Sequence, residues 1–285
     1  MKIKVIAGLV GIVVAAGALF LLHTLLPVAL LAGFAGIAAF ELLKSLSVKS
    51  RRLHFLAVLS GAAMPFLAVY YQDLPPHIFP AVIVGVFLIF LLVMLSDFQK
   101  ISLVHTLAAL AGGVLIPLGI SSFILIRDFV PASGKTEPIP EQWVLFWILY
   151  GLFCCWVTDI FAYLVGKATG GKHKMTPHIS PNKSWEGAVG GVLITALANG
   201  LLWLIFTKCG WFGDFTPSLG FILGFSPVLS ALGILGDLTF SAIKRQTGIK
   251  DFGNLIPGHG GSLDRFDSFL FVMPTVWATL WLVYT

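Results

Sequence analysis

The chain has 285 residues, 58% hydrophobic and only 11% charged, with a mean hydropathy of +0.95 and a formal net charge of +5. Soluble domains carry roughly 25% charged residues, so this composition excludes a soluble globular protein and points to a polytopic membrane protein. Cys154 and Cys155 are adjacent inside one apolar run and Cys209 lies near the end of another, which excludes a disulfide framework and a CxxC metal site.

In chain order, nine apolar segments are long enough to cross a bilayer: roughly 5–26, 28–46, 53–71, 78–96, 103–126, 143–166, 187–207, 216–240 and 266–284. Each is expected to be a helix, because backbone groups in hydrocarbon must be satisfied within the segment and none of these runs alternates like a barrel strand. The fold class expected is therefore all-α, with about nine transmembrane helices. Lys2 and Lys4 precede a first run too long for a signal-peptide core and followed at once by another, so it reads as a retained span. Pro27 breaks the first two spans, which leaves a re-entrant hairpin as an alternative there. All but three of the 18 Lys and Arg fall at the N-terminus or in the loops after spans two, four, six and eight, so the N-terminus is expected in the cytoplasm and the C-terminus outside. The division expected is an N-terminal scaffold over 1–142 and a catalytic region over 143–285, with cytosolic motif loops at 167–186 and 241–265.

Within the scaffold, Glu41 can pair with Lys44 at i+3 and snorkel to the interface. Lys49, Arg51 and Arg52 read as topology determinants or contacts to anionic headgroups. His23, His54, His77 and His105 lie at span edges and read as structural.

The catalytic region carries chemistry. Asp159 lies inside span six about two turns from its cytosolic end, and an acid within a membrane span is a functional candidate by default. After it come Ala162-Tyr163, Gly166-Lys167 and the basic, turn-rich stretch from Gly170 to Gly187. Gly166 to Lys172 fits GxxxxGK, but His173 stands where a P-loop needs Ser or Thr, and no strand precedes it. Asp237, near the cytosolic end of span eight, is a second acid within a span.

The densest stretch runs from Ser241 to Ser268 and is read as a polar loop. It holds Lys244, Arg245, Lys250, Arg265, Asp251, Asp264, Asp267, His259 and several glycines. Such a concentration suits a polyanion and its metal. Asp264 and Asp267, three apart where an apolar helix begins, can share one face of its first turn, a geometry that suits a divalent cation; acids there can equally cap the helix. Gly260 and Gly261 beside them favour the first reading, since glycines let backbone N–H groups approach phosphate.

The order Ser241, Lys244-Arg245, Lys250-Asp251, Pro257, His259-Gly260-Gly261, Asp264-Arg265, Asp267 resembles the signature of the phosphatidate cytidylyltransferase (CDP-diacylglycerol synthase) family. Asp159, Ala162-Tyr163, Gly166-Lys167, Lys172-x-Lys174 and Ser180-Pro181-x-Lys183-Ser184-Trp185-x-Gly187 resemble the segment that accompanies it. Ser262 departs from the aliphatic residue usual there, which bears on a packing contact and not on a ligand. The resemblance covers Trp156 to Ser268.

It implies transfer of the cytidylyl group of CTP to phosphatidic acid, giving CDP-diacylglycerol and pyrophosphate for phospholipid biosynthesis. It further implies a homodimer in a bacterial inner membrane, with membrane lipids around it and no nucleic-acid partner. On that reading Asp237, Asp264 and Asp267 hold Mg²⁺, beside which a second cation of unknown identity has room. Lys244, Arg245, Lys250 and Arg265 join them in the reaction, and Arg265 may alternatively only orient the two acids that flank it. Asp159, Lys167, Lys172, Lys174, Ser180, Lys183, Ser184, Ser241, Asp251, His259, Gly260 and Gly261 bind the substrates. Two other classes stay open. A CTP-dependent polyprenol or phytol kinase would use His259 as base, and a cation-coupled transporter also expects acids on several spans.

Overall fold

Apolar runs of this length can satisfy their backbone groups only as helices. The computed structural model describes residues 17, 19–71, 73–75, 77–130, 139–213, 217–255 and 260–284. Among them seven helices are long and apolar enough to cross a membrane, as an all-α polytopic membrane protein requires. These are α1 (Leu25–Ser45), α2 (Arg51–Val69), α3 (Ile78–Ser96), the continuous run of α4 (Leu103–Leu110), a π-helical turn (Ala111–Leu115) and α5 (Ile116–Arg127), then α6 (Glu141–Ala168), α7 (Trp185–Lys208) and α8 (Leu219–Gln246). A short helix α9 (Leu263–Phe266) and the apolar α10 (Phe269–Val283) complete the chain, and one hairpin of β1 (Lys174–Thr176) and β2 (Ser180–Ser184) interrupts the helices. More than half of the first expected span, over 5–26, lies outside the described residues, as do Lys2 and Lys4.

Four boundaries differ from the sequence reading, each for a local reason. Helix α1 begins before Pro27, with Thr24 accepting from the Leu26 N–H at 3.3 Å. Pro27 sits in the first turn, where a missing N–H is no loss. Helix α8 runs on to Gln246, so Ser241, Lys244 and Arg245 lie on its last turns and not in a loop. Cations at a helix C-terminus complement its dipole, and their stems cover apolar surface. The stretch 167–186, read as loop, contains the hairpin, paired antiparallel with Lys174 opposite Ser184 and Thr176 opposite Ser180. The ninth expected segment does not form a helix from 266: the Asp267 carboxylate takes the Ser268 N–H at 2.7 Å, and α10 starts only at Phe269. Short acidic side chains compete with the helix ladder in this way.

The chain forms two compact units. The first comprises Met1–Leu125 and Gln246–Phe266. Its core gathers Leu43, Leu53, Ala57, Met64, Phe90 and Ala109 from α1 to α4. The second comprises Ile126–Arg245 and Asp267–Thr285. There α7 lies along α6, and Phe146 stacks on Tyr150 and meets Trp147, Phe206 and Phe212 edge to face in an aromatic cluster. A buried hydroxyl chain ties three helices of this unit: Thr158 of α6 bonds Thr195 of α7 at 2.9 Å and Ser230 of α8 at 3.0 Å. One layer along, Asn199 of α7 donates to Ser226 of α8 at 3.1 Å. The expected division at 142/143 followed motif content; the compact units follow contacts, and the signature stretch is split between them after Arg245 and again after Phe266.

Candidate active site

In the second unit the site is built on the ends of α6 and α8, the hairpin and the turn before α10. Ser184 caps α7, accepting from the Gly187 N–H at 3.2 Å, which fixes where β2 ends. Glu186, in the first turn of α7, takes the His173 N–H at 3.1 Å and lies 2.6 Å from His173 Nδ1, so it clamps the start of the hairpin onto the helix. Sequence reasoning gave Glu186 no role, although an acid in the first turn of a helix beside a basic loop was the available signal. From β2, Lys183 reaches Asp237 of α8 and forms an ion pair with its Oδ2. Ser241, one turn on, donates to Asp237 Oδ1 at 3.2 Å. Arg245 makes a second tie between α8 and the hairpin, its Nε donating to the Ile179 carbonyl at 3.2 Å.

Asp267 and Asp159 join this group. Ser268 Oγ lies 3.5 Å from Asp159 Oδ2, and Asp159, Asp237 and Asp267 are within electrostatic reach of one another and of Lys183 or Lys244. Helix α8 approaches the turn at Gly236, where a Cβ would stand 2.5 Å from the Asp267 carbonyl oxygen; only glycine permits that approach beside Asp237. Lys244 is buried, whereas Lys167, Lys172 and Lys174 are exposed and Ser180 is half-buried.

In the first unit the site residues gather around Asp264. Its Oδ2 accepts from the backbone N–H groups of Phe252 at 2.8 Å and Gly261 at 3.0 Å, so this carboxylate closes the loop 252–261 upon itself. Gly260 holds φ +85°, a conformation that disfavours any side chain. Lys250, Asp251 and Arg265 are exposed. His259 lies outside the described residues. Ser262, the departure from the family pattern, is fully buried and donates to the Phe34 carbonyl of α1 at 2.9 Å, so a hydrogen bond replaces the expected apolar contact. Glu41 overturns its snorkelling assignment. It is 5% exposed and accepts from the Leu263 N–H at 3.0 Å, with a further backbone bond from Ser262. Its partners lie 222 residues away in sequence, which no local pattern signals.

The donor chemistry fits a hard divalent cation. Mg²⁺ takes one or two carboxylates and fills its remaining positions with water and substrate phosphates. Among the described residues no three His, Cys, Asp or Glu side chains are gathered at chelating range, so a two-carboxylate arrangement completed by phosphate is the form that suits them.

The cytidylyltransferase family model matches residues 2–283. The chain belongs to the cytidylyltransferase family. Curated relatives include the phosphatidate cytidylyltransferase of Staphylococcus aureus (strain COL), 49% identical over 130 residues, which is 46% of this chain and 47% of that protein. The phosphatidate cytidylyltransferase of Bacillus subtilis (strain 168) is 44% identical over 140 residues, 49% of each chain. The matched stretch thus spans about half the length of these curated relatives.

Proposed function

We propose that this cytidylyltransferase-family chain transfers the cytidylyl group of CTP to phosphatidic acid, giving CDP-diacylglycerol and pyrophosphate. The observation that carries the reading is the family match over almost the whole chain, and the curated relatives' names give the acceptor. The phosphate of phosphatidic acid is a monoester with a second pKa near 6, so it arrives largely ionised and needs no general base. One of its oxygens attacks the α-phosphorus of CTP, the bond to the bridging oxygen breaks, and pyrophosphate leaves with the electron pair. The work for the protein is to bring two anions together and to neutralise the charge on the leaving group.

Lys183 and Lys244 supply fixed positive charge beside Asp237 and Asp267, and Lys167, Lys172, Lys174, Arg245, Lys250 and Arg265 extend it. Asp237 and Asp267 are the carboxylates proposed to hold Mg²⁺, with Asp159 beside them. Asp264 is proposed as a further ligand on motif spacing alone. When bound, the cation would act as a Lewis acid that stabilises the charge developing on the reacting phosphates. Ser184 is better read as the cap of α7 than as a direct substrate contact.

The finer topology belongs to the same proposal: nine spans, N-terminus in the cytosol, C-terminus outside and the catalytic region 143–285 presented to CTP from the cytosolic side of a bacterial inner membrane. It rests on the distribution of Lys and Arg. A homodimer and a second cation rest on the resemblance only.

The test is conversion of labelled CTP by purified protein in phosphatidate micelles, with and without Mg²⁺. Mg²⁺-dependent label in lipid with stoichiometric pyrophosphate is expected. Label-free lipid, with CDP released when a prenyl alcohol is added, would replace this reading with the kinase.

A further inference from the structure

Glu41 sits on α1, far in sequence from every residue of the signature. A buried carboxylate is costly unless hydrogen-bonded. The donors compensating Glu41 are the N–H groups of Ser262 and Leu263. The next residue, Asp264, turns back to accept from Phe252 and Gly261. Two carboxylates therefore fasten one loop, Glu41 at 262–263 and Asp264 at 252 and 261. Helix α1 adds two further holds, Ser262 Oγ on the Phe34 carbonyl and the Phe34 ring against Phe266 at 5.4 Å between centroids. The fit is close: a Cβ on Gly253 or on Gly261 would collide with the Glu41 carboxylate oxygens.

We propose that Glu41 is a positioning residue of the active site, holding the backbone of residues 261–263 so that Asp264 is presented in a fixed orientation. This rests on the reading of Asp264 as a reacting-site carboxylate given under the proposed function. Charge-assisted bonds to backbone N–H groups are stronger than neutral ones, so a carboxylate sets this loop more firmly than an amide would. It also makes the N-terminal helices part of the machinery and not only a scaffold.

The test uses the full chain with Glu41→Ala, Glu41→Gln, Gly253→Ala and the double variant Glu41→Ala/Gly253→Ala. Two readouts are taken: amide hydrogen exchange across residues 260–265 in metal-free protein, and turnover as a function of Mg²⁺. Glu41→Ala is expected to deprotect the Ser262 and Leu263 amides. Its kcat should fall by roughly 10- to 100-fold, with a higher half-saturating Mg²⁺ concentration, the range typical of groups that orient metal ligands. Glu41→Gln, which keeps one acceptor oxygen, should fall between. Gly253→Ala displaces the carboxylate and should resemble Glu41→Ala, and adding it to Glu41→Ala should cost little more, as coupled neighbours require.

Unchanged exchange and unchanged Mg²⁺ dependence in Glu41→Ala would overturn the proposal, as would full additivity in the double variant. Should Glu41→Ala not fold, Glu41→Gln and Gly253→Ala carry the same comparison. A wild-type protein that makes no CDP-diacylglycerol would remove the proposed function, while the exchange arm would still decide whether Glu41 holds the loop.

Discussion

Asp264 and Asp237 come from neighbouring parts of the sequence and are held by opposite means. Asp264 is gripped by two backbone N–H groups within its own loop. Asp237 is held by side chains, Ser241 from the same helix and Lys183 from the hairpin. A backbone cradle keeps its donors whatever side chains the donor residues carry, so only a change that moves the backbone itself disturbs it. A side-chain ion pair can exchange partners; on the proposed function Lys183 would pass from Asp237 to an incoming phosphate. Each unit thus holds its carboxylate in its own way, the first by backbone N–H groups and the second by side chains.

The largest expected effect breaks the fixed side. Asp264→Asn should leave an extractable folded protein, because its amide oxygen can still accept from Phe252 and Gly261, yet lower turnover by at least about 100-fold if the lost charge served a cation. Near-normal turnover in the CTP assay would take Asp264 out of the metal set. On the side-chain-held side, Lys183→Met should lower kcat/KM by roughly 100- to 1,000-fold, the range of removing one donor to developing charge. If thermal stability fell while kcat/KM held, the Lys183–Asp237 pair would be structural.

Smaller effects separate support from chemistry. Thr158→Val removes bonds to Thr195 and Ser230 and should cost about 0.6–1.7 kcal/mol of stability, as interhelical hydrogen bonds in membranes do. Its turnover per folded molecule should be unchanged in an unfolding titration run beside the assay. Arg245→Ala loses, among other contacts, the bond to the Ile179 carbonyl, a bond of a kind worth about 1 kcal/mol, and a change in the KM for CTP of about fivefold is expected. A much larger loss would give Arg245 a direct phosphate contact.

Much of the architecture was legible because hydrocarbon leaves the backbone few options. Segments two to eight all appear as helices within a few residues of their expected ends. The misplacements fall where side chains decide: Thr24 starting α1 ahead of Pro27, Lys244 and Arg245 extending α8, and Asp267 delaying α10. The hairpin at 174–184 was missed because its strands are short and polar, with no apolar alternation to mark them. Of the candidate site residues, Asp159, Asp237, Lys244 and Asp267 stood out as charge in an apolar chain, whereas Lys183 and Ser241 came with the family resemblance; the structure places all six in one unit. Glu41 was misread because a carboxylate one turn from a lysine has a sufficient local explanation.

The sequence by itself determined that this chain is a helical membrane protein of the cytidylyltransferase family, because hydropathy and fixed-spacing motifs are properties of the chain read in one dimension. Only the tertiary structure decided which donor meets which carboxylate. Lys183 finds Asp237 across a hairpin, and Glu41 finds Leu263 from 222 residues away. A hydrogen bond is specified by position in space, and sequence separation carries no information about it once the chain has folded back.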